Sequence, residues 1–374
     1  MTAPISSPIP APEVAPGAVH DAAHDAAHDA AHGAAHEAPA PRAPSEHFPV
    51  LDGVRAVSIL AVLWTHLMPF HVAGIPLNES LGMFGMALFF ILSGYLITGQ
   101  LLKRPPVSSF LARRLLRVVP AAWIALTVVW WFRPVDLETA FSYLFFYANL
   151  PPQRLVPPID HFWSLCVEVQ FYMLAGLMLW LRVRAIWWLF PALLMTFTGM
   201  RISHDITASS VTWFRADDLL AGACLALVMH SRFWPQVRQV LARRGMVPAL
   251  LLLLMAGSFL SHEVSNPLTY LRPYAAGAFV GALMAQPRHR LSVWLGGSVF
   301  AYIASVSYAL YVWHLPLAAT WLGSGDLWVK YLKRPLLLLV VFGIAHVSTF
   351  QVERRFNELA KRVGAGRGQR LKEV

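Results

Sequence analysis

Val54-Arg-Ala-Val-Ser-Ile-Leu-Ala-Val-Leu-Trp-Thr-His66-Leu-Met-Pro-Phe70 is the stretch on which the fold turns. It is apolar and of membrane-span length, yet it carries two ionisable groups, Arg55 and His66, eleven positions apart. At 100° per residue, eleven steps fall within ~20° of three full turns, so both side chains share one helix face, separated by ~16 Å along the axis. Ionisable groups inside a span are costly and mark function by default. The spacing therefore predicts a fixed cation near one membrane surface and a proton acceptor near the other, an arrangement suited to chemistry coupled across the bilayer.

Composition supports the membrane setting. The chain is 57% hydrophobic and 13% charged, with mean hydropathy +0.52, and apolar runs able to cross ~30 Å of hydrocarbon recur along it. The formal charge of +10 does not read as nucleic-acid binding, because the basic residues punctuate apolar segments as cytoplasmic loops do. Cys166 and Cys224 both fall inside predicted spans, with no spacing that suggests a metal site or a disulfide framework. No metal is expected.

Residues 1–47 contain no apolar run that could serve as a signal peptide, so the N-terminus is expected on the cytoplasmic side. They read as a disordered Ala-, Pro- and His-rich tail. A tetrad repeat through His20, His24, His28, His32 and His36 would align five imidazoles if helical and could bind Zn²⁺ or Ni²⁺ weakly. Residues 48–358 form the expected transmembrane domain, and 359–374 a basic cytoplasmic tail.

Ten spans are predicted: Val54–Phe70, Leu81–Leu102, Val118–Phe132, Phe162–Leu181, Ala185–Met200, Phe214–His230, Met246–Ser261, Thr269–Ala285, Val299–Leu322 and Leu336–Val352. Thr139–Leu150 is apolar but too short to cross and is followed by Pro151-Pro152, which suits a re-entrant or interfacial segment. With that segment not crossing, both termini are cytoplasmic and most of the 30 lysines and arginines fall inside, as the positive-inside rule requires. The expected fold is an all-α integral membrane protein.

Five constellations could carry chemistry. Arg113, Arg114 and Arg117 lie at the inner end of the third span, and the last two share a helix face, a pair of guanidinium forks suited to phosphates of a cofactor or lipid or to headgroup anchoring. The fourth span opens His161-Phe-Trp163-Ser164 and carries Ser164, Glu168 and Tyr172 as a polar stripe. Glu168 is expected at a depth comparable to His66, where a carboxylate could orient the imidazole and raise its basicity. Ser307, Tyr311 and His314 share a face of the ninth span, and Ser93-Gly94-Tyr95 gives a close-approach point mid-span in the second. Arg215, Asp217 and Asp218 cap the outer end of the sixth span, with Arg201 and Asp205 in the loop before it. His71, His204 and His262 read as surface groups. No glycine-rich phosphate loop and no G-x-S-x-G elbow is present.

The segments in order, Leu51-Asp-Gly-Val-Arg55 with the ten-residue gap to His66, Phe89-Phe-Ile-Leu-Ser-Gly-Tyr-Leu96, Arg114-x-x-Arg117 with Pro120, Phe162-Trp-Ser-Leu-x-x-Glu168 and Tyr308-x-x-Tyr311-x-Trp-His314, resemble the acyltransferase family 3 membrane proteins. Those proteins O-acylate surface glycans. The resemblance implies that acetyl-CoA or another acyl-CoA donates from the cytoplasm to a hydroxyl of an extracytoplasmic cell-envelope polysaccharide, oligosaccharide or glycolipid, in the bacterial cytoplasmic membrane. It implies His66 as the catalytic histidine with Arg55 as its motif partner and Glu168 beside it. Arg113, Arg114 and Arg117, with Ser93 and Tyr95, are the expected donor contacts. Trp163, Ser164, Tyr311, His314, Arg215 and Asp217 are the expected acceptor contacts. The chain runs only a short way past the tenth span, so the esterase-like outer domain of some members is not expected, and acceptor choice rests on membrane loops or a separate extracytoplasmic partner. The competing class is a proton-coupled transporter of glycans or amphiphiles, which also uses intramembrane His, Glu and Arg; the internal repeat common in transporters is not visible here.

Overall fold

The computed structural model describes residues 48–68, 77–259 and 266–370, with side chains through residue 362. The expected tail 1–47 with its histidine repeat, and also His71 and His262, lie outside the described residues. Every regular element among the described residues is helical. In chain order these are α1 (Pro49–Leu67), α2 (Leu77–Leu102), α3 (Val107–Phe132), α4 (Leu137–Leu144), α5 (Trp163–Trp180), α6 (Ile186–Ser203) and α7 (Ala216–His230). There follow α8 (Trp234–Leu241), α9 (Met246–Ser258), α10 (Arg272–Ala285), α11 (Arg290–Leu295), α12 (Ser298–Ala318), α13 (Leu327–Val347) and α14 (Arg354–Arg370). The expected tail boundary at residue 359 falls inside α14.

Six helices are long and apolar enough to cross a membrane: α1, α2, α3, α5 with its preceding 3-10 turn, α12, and the Leu327–Arg362 stretch that runs from α13 through a π-helical turn into α14. The pair α8 and α9, bent by 85°, makes a seventh if it is one broken span. Of the remaining expected spans, Ala185–Met200 forms α6, 18 residues long, while those of α7 and α10 are shorter than their sequence reading. Helices α7 and α10 have 15 and 14 residues, ~21–22 Å at 1.5 Å per residue, against the ~30 Å of hydrocarbon. The apolar windows around them included 3-10 turns, Thr212–Phe214 and Pro267–Leu271, that hydropathy does not distinguish from helix. Both helices are buried along most of their length, which explains their all-round apolar composition: they are core helices of the bundle.

Helices α2 and α7 pack through reciprocal glycines. A Cβ at Gly94 would overlap the Leu219 carbonyl oxygen, and one at Gly222 would overlap that of Ile91. Helices α1 and α2 are tied by two hydroxyls, Ser58 Oγ donating to the Gly85 carbonyl and Thr65 Oγ1 to that of Asn78, each at 2.7 Å. Helix α12 also packs against α1, so α1 has two long helices as neighbours.

The segment expected not to cross forms α4, eight residues long and so ~12 Å in length. Asp136 caps it, accepting from the Thr139 N–H at 2.9 Å. That backbone bond, with the Thr139 hydroxyl, holds the Asp136 carboxyl below its ordinary range. Leu137 and Phe141 on it, and Phe145 at its C-cap, are exposed.

Candidate active site

One face of α1 organises the site. Arg55, Ser58, Ile59 and Val62, at helical spacing, line a cavity with about 760 Å³ of empty volume. The next position on that stripe is His66, one turn beyond Val62. The opposing walls come from Phe89, Ser93 and Leu96 of α2, Arg114 and Arg117 of α3, Ser164, Glu168 and Tyr172 of α5, and Ser307, Tyr308 and Tyr311 of α12. The stripe that begins at Arg55 thus lines the cavity as far as Val62, and His66 lies one turn beyond it on the same face.

At the Arg55 end three guanidinium groups converge. Arg114 is buried, lies 5.7 Å from the Tyr172 ring centroid and donates to the Leu96 carbonyl at 3.4 Å. Among the described residues, none of Arg55, Arg114 and Arg117 forms an ion pair. Such a cluster favours an anion, and phosphate oxygens match the guanidinium fork. The nearby Glu168 carboxylate is occupied otherwise: its Oε1 accepts from Ser93 Oγ at 2.6 Å and from the Tyr172 hydroxyl at 2.7 Å. The Tyr308 hydroxyl donates to the Val118 carbonyl at 2.5 Å, clamping α12 to α3 across the cavity.

The opposite end is built around Tyr311. Its hydroxyl contacts Ser164 Oγ at 2.7 Å and donates to the His161 carbonyl. Its main-chain carbonyl accepts from His314 Nδ1 at 2.7 Å and His161 Nε2 at 3.1 Å. His314 Nε2 in turn lies 3.0 Å from His66 Nδ1, with the two rings stacked at 5.0 Å between centroids. His314 and His161 are buried, while His66 at the end of α1 is exposed.

The structure thus gathers Arg55, Arg114, Arg117, Ser93, Glu168, Ser164 and Tyr311 around one cavity and joins His314 to His66 beyond it. It does not pair Glu168 with His66: the imidazole's partner is His314, because α5 turns Glu168 toward α2. Arg113 does not line the cavity, its Nη1 donating to Ser109 Oγ at 2.5 Å, and Tyr95 also falls outside the lining. Trp163 packs against Phe90 at 5.9 Å between centroids.

Arg215 and Asp217 are not surface caps. Arg215 is fully buried, its guanidinium 5.6 Å from the Trp163 ring centroid and 3.5 Å from Asp218. Asp217 pairs with Arg201, which lies within α6 rather than in a loop, and Arg272 sits 3.4 Å from Asp218. His204 is exposed as expected. Sequence reasoning missed His161, which precedes α5 in a 3-10 turn and so belongs to no helical stripe. It also passed over Tyr172 as a cavity residue, although Tyr172 stands one turn from Glu168. No group of metal-binding residues occurs among the described residues.

The site is thus an arginine-lined cavity among helices of span length, with the His314–His66 pair beyond Tyr311. The family model described as an acyltransferase domain (Acyl_transf_3) matches residues 48–350, and the chain belongs to that family. Among characterised relatives, it is similar to the peptidoglycan O-acetyltransferase OatA of Listeria monocytogenes, 28% identical over 321 residues that cover 73% of this chain and 49% of the relative. It is also similar to the O-acetyltransferase OatA of Staphylococcus aureus, 26% identical over 318 residues that cover 72% of this chain and 50% of the relative. The chain spans about half the length of these curated relatives. No solved structure matches it.

Proposed function

We propose that this protein is an O-acyltransferase that moves an acyl group, acetyl in the simplest case, from cytoplasmic acyl-CoA to a hydroxyl of an extracytoplasmic cell-envelope glycan. The observation that carries the reading is the cavity running from Arg55, Arg114 and Arg117 to Tyr311, whose carbonyl holds His314 of the His314–His66 pair. Family membership and the names of the relatives support acetyl as the group and a peptidoglycan-like polysaccharide as the acceptor class.

In this reading Arg55, Arg114 and Arg117 bind the donor's phosphates at the cytoplasmic end. The thin pantetheine arm follows the α1 face past Ser58 and Val62, which brings the thioester toward Ser164 and Tyr311. His66, exposed at the far end, removes the proton from the acceptor hydroxyl; the hydroxyl oxygen bonds to the acyl carbon, the carbon–sulfur bond breaks, and the departing sulfur takes the proton. General-base assistance of this kind is worth ~10²–10⁴-fold, and positioning adds more. The topology we adopt keeps ten crossings with both termini cytoplasmic in the bacterial inner membrane, the short helices crossing inside the bundle. Arg215 and Asp217 act in acceptor binding only through Trp163, which Arg215 underlies.

The test is the alkali-labile acetate of envelope glycans in cells with and without the gene, complemented by wild type or His66→Ala. Wild type restores the acetate, and the alanine variant, present in the membrane at wild-type level, restores less than ~1% of it. Equal acetate in the deleted and wild-type cells rejects the function. Normal acetate with His66→Ala rejects the base.

A further inference from the structure

We propose that His314 is the positioning residue that fixes the tautomer of His66, an inference that rests on the acyl-transfer reading above. A carbonyl oxygen can only accept, so His314 Nδ1, 2.7 Å from the Tyr311 carbonyl, carries that ring's proton. Neutral imidazole has one N–H, which leaves His314 Nε2 as a lone pair facing His66 Nδ1 at 3.0 Å. His66 therefore donates from Nδ1, and its Nε2 is the proton-free nitrogen.

The surroundings hold this arrangement in one register. The same carbonyl accepts from His161 Nε2 at 3.1 Å, so the His161 N–H does not compete for His314. The His161 ring packs edge-on against that of His314, 4.8 Å between centroids, and the Tyr311 hydroxyl donates to the His161 carbonyl. His314 is fully buried. Among the described residues no carboxylate is bonded to the ring of His66, His161 or His314. A neutral imidazole anchored on the backbone thus does what a carboxylate does beside many catalytic histidines, without placing a negative charge inside the bilayer.

In the reaction the acceptor hydroxyl gives its proton to His66 Nε2 as its oxygen attacks the acyl carbon. The carbon–sulfur bond breaks with its electron pair on sulfur, and the thiolate recovers the proton from His66 Nε2. His314 keeps its own Nδ1 proton throughout and accepts from His66 Nδ1–H, stabilising the transient imidazolium.

The test uses the full-length protein in nanodiscs, with acetyl-CoA as donor and a peptidoglycan-derived disaccharide as acceptor. Three variants are compared: His314→Ala, with no acceptor; His314→Gln, whose side-chain oxygen can accept from His66 Nδ1–H; and His314→Lys, which can only donate. The expected result is a fall in kcat of at least ~10²-fold for Ala and Lys with KM for acetyl-CoA unchanged, since an untethered base loses most of its ~10²–10⁴-fold contribution. Gln should stay within ~10-fold of wild type on the same logic. Equal losses in Gln and Ala, or a fully active Ala variant, overturn the inference while leaving acyl transfer by wild type intact. If Ala and Lys fail to bind acetyl-CoA, the Gln variant decides: a kcat down by ~10²-fold or more, with donor binding intact, overturns the inference. A wild-type chain that transfers no acetyl group overturns the function, and this inference with it.

Discussion

The Glu168 carboxylate accepts from the Ser93 hydroxyl at 2.6 Å, so this acidic side chain of the cavity lining ties α5 to α2 rather than orienting the imidazole of His66. The Tyr172 hydroxyl shares the same oxygen at 2.7 Å. Glu168→Ala leaves two hydroxyls without their acceptor and should cost ~1–3 kcal/mol. Glu168→Gln keeps an oxygen in place and should hold the wild-type midpoint. Thermal unfolding of both variants in detergent checks this; a Gln variant that melts with the Ala variant shows that the charge, not the acceptor, stabilises the junction.

The arginine cluster gives the donor prediction. Substituting Arg114 and Arg117 together by Ala removes two of three cations from the cavity and should weaken acyl-CoA binding at least ~100-fold, each fork-type contact to phosphate being worth more than ~1.4 kcal/mol. The Lys pair should restore only part, because the fork geometry is lost. Titration of acetyl-CoA onto protein in nanodiscs is the measurement, and wild-type affinity in the alanine pair would move the donor site elsewhere. Arg113, bonded to Ser109 outside the cavity, is the internal control: its alanine variant should bind donor normally.

What the sequence made legible follows from periodicity. Arg55 and His66 share a helix face because 3.6 residues per turn brings eleven positions back to one side, and the cavity lies along that face. The arginine pair of α3 was readable for the same reason. The His66–His314 contact was not, since it joins positions 248 apart in the chain and depends on how α12 packs against α1. His161 was hidden because a 3-10 turn breaks the stripe that Ser164, Glu168 and Tyr172 continue. Arg215, Asp217 and Asp218 read as a cap and Arg201 as a loop residue because hydropathy counts each charge against burial, whereas the pairs Arg201–Asp217 and Arg215–Asp218 let them be buried together.

Gly94 and Gly222 set the α2–α7 distance. Either residue changed to Val places a side chain on the partner's backbone, and the protein should lose at least ~1–3 kcal/mol or fail to accumulate. Gly99, on the same helix with nothing near its Cβ position, should accept Ala with a gain of ~0.5–1 kcal/mol from helix propensity. Thermal midpoints of the purified variants test the contrast, and equal behaviour at Gly94 and Gly99 would refute it.

Sidedness tests the topology. A cysteine introduced at Ser108, in the first turn of α3, should react with an impermeant maleimide only from the cytoplasmic side, next to the basic cluster. One at Val156, beyond the short α4, should react only from outside, because eight helical residues cannot cross. Cytoplasmic labelling at Val156 would overturn the ten-crossing arrangement.

The Arg201–Asp217 pair is fully buried, with side-chain exposures of 1% and 0%. Arg201 also donates to the Ile206 and Thr207 carbonyls at 3.2 and 3.0 Å, so it fixes the chain leaving α6 as well as the start of α7. Asp217→Ala leaves a buried guanidinium beside Arg215 and Arg272 with only Asp218 as countercharge, and should destabilise by ~3–5 kcal/mol. Removing both charges, as Arg201→Met with Asp217→Leu, should cost less than the single change, because the net charge of the buried cluster stays as in wild type and the loss reduces to three backbone bonds, those of Arg201 to the Ile206 and Thr207 carbonyls and that of the Asp218 N–H to Asp217, at ~0.5–1.5 kcal/mol each. Denaturation midpoints of the single and double variants make the comparison. If the double variant is the less stable of the two, the pair contributes attraction beyond its desolvation cost, and charge burial is not what the single substitution reports.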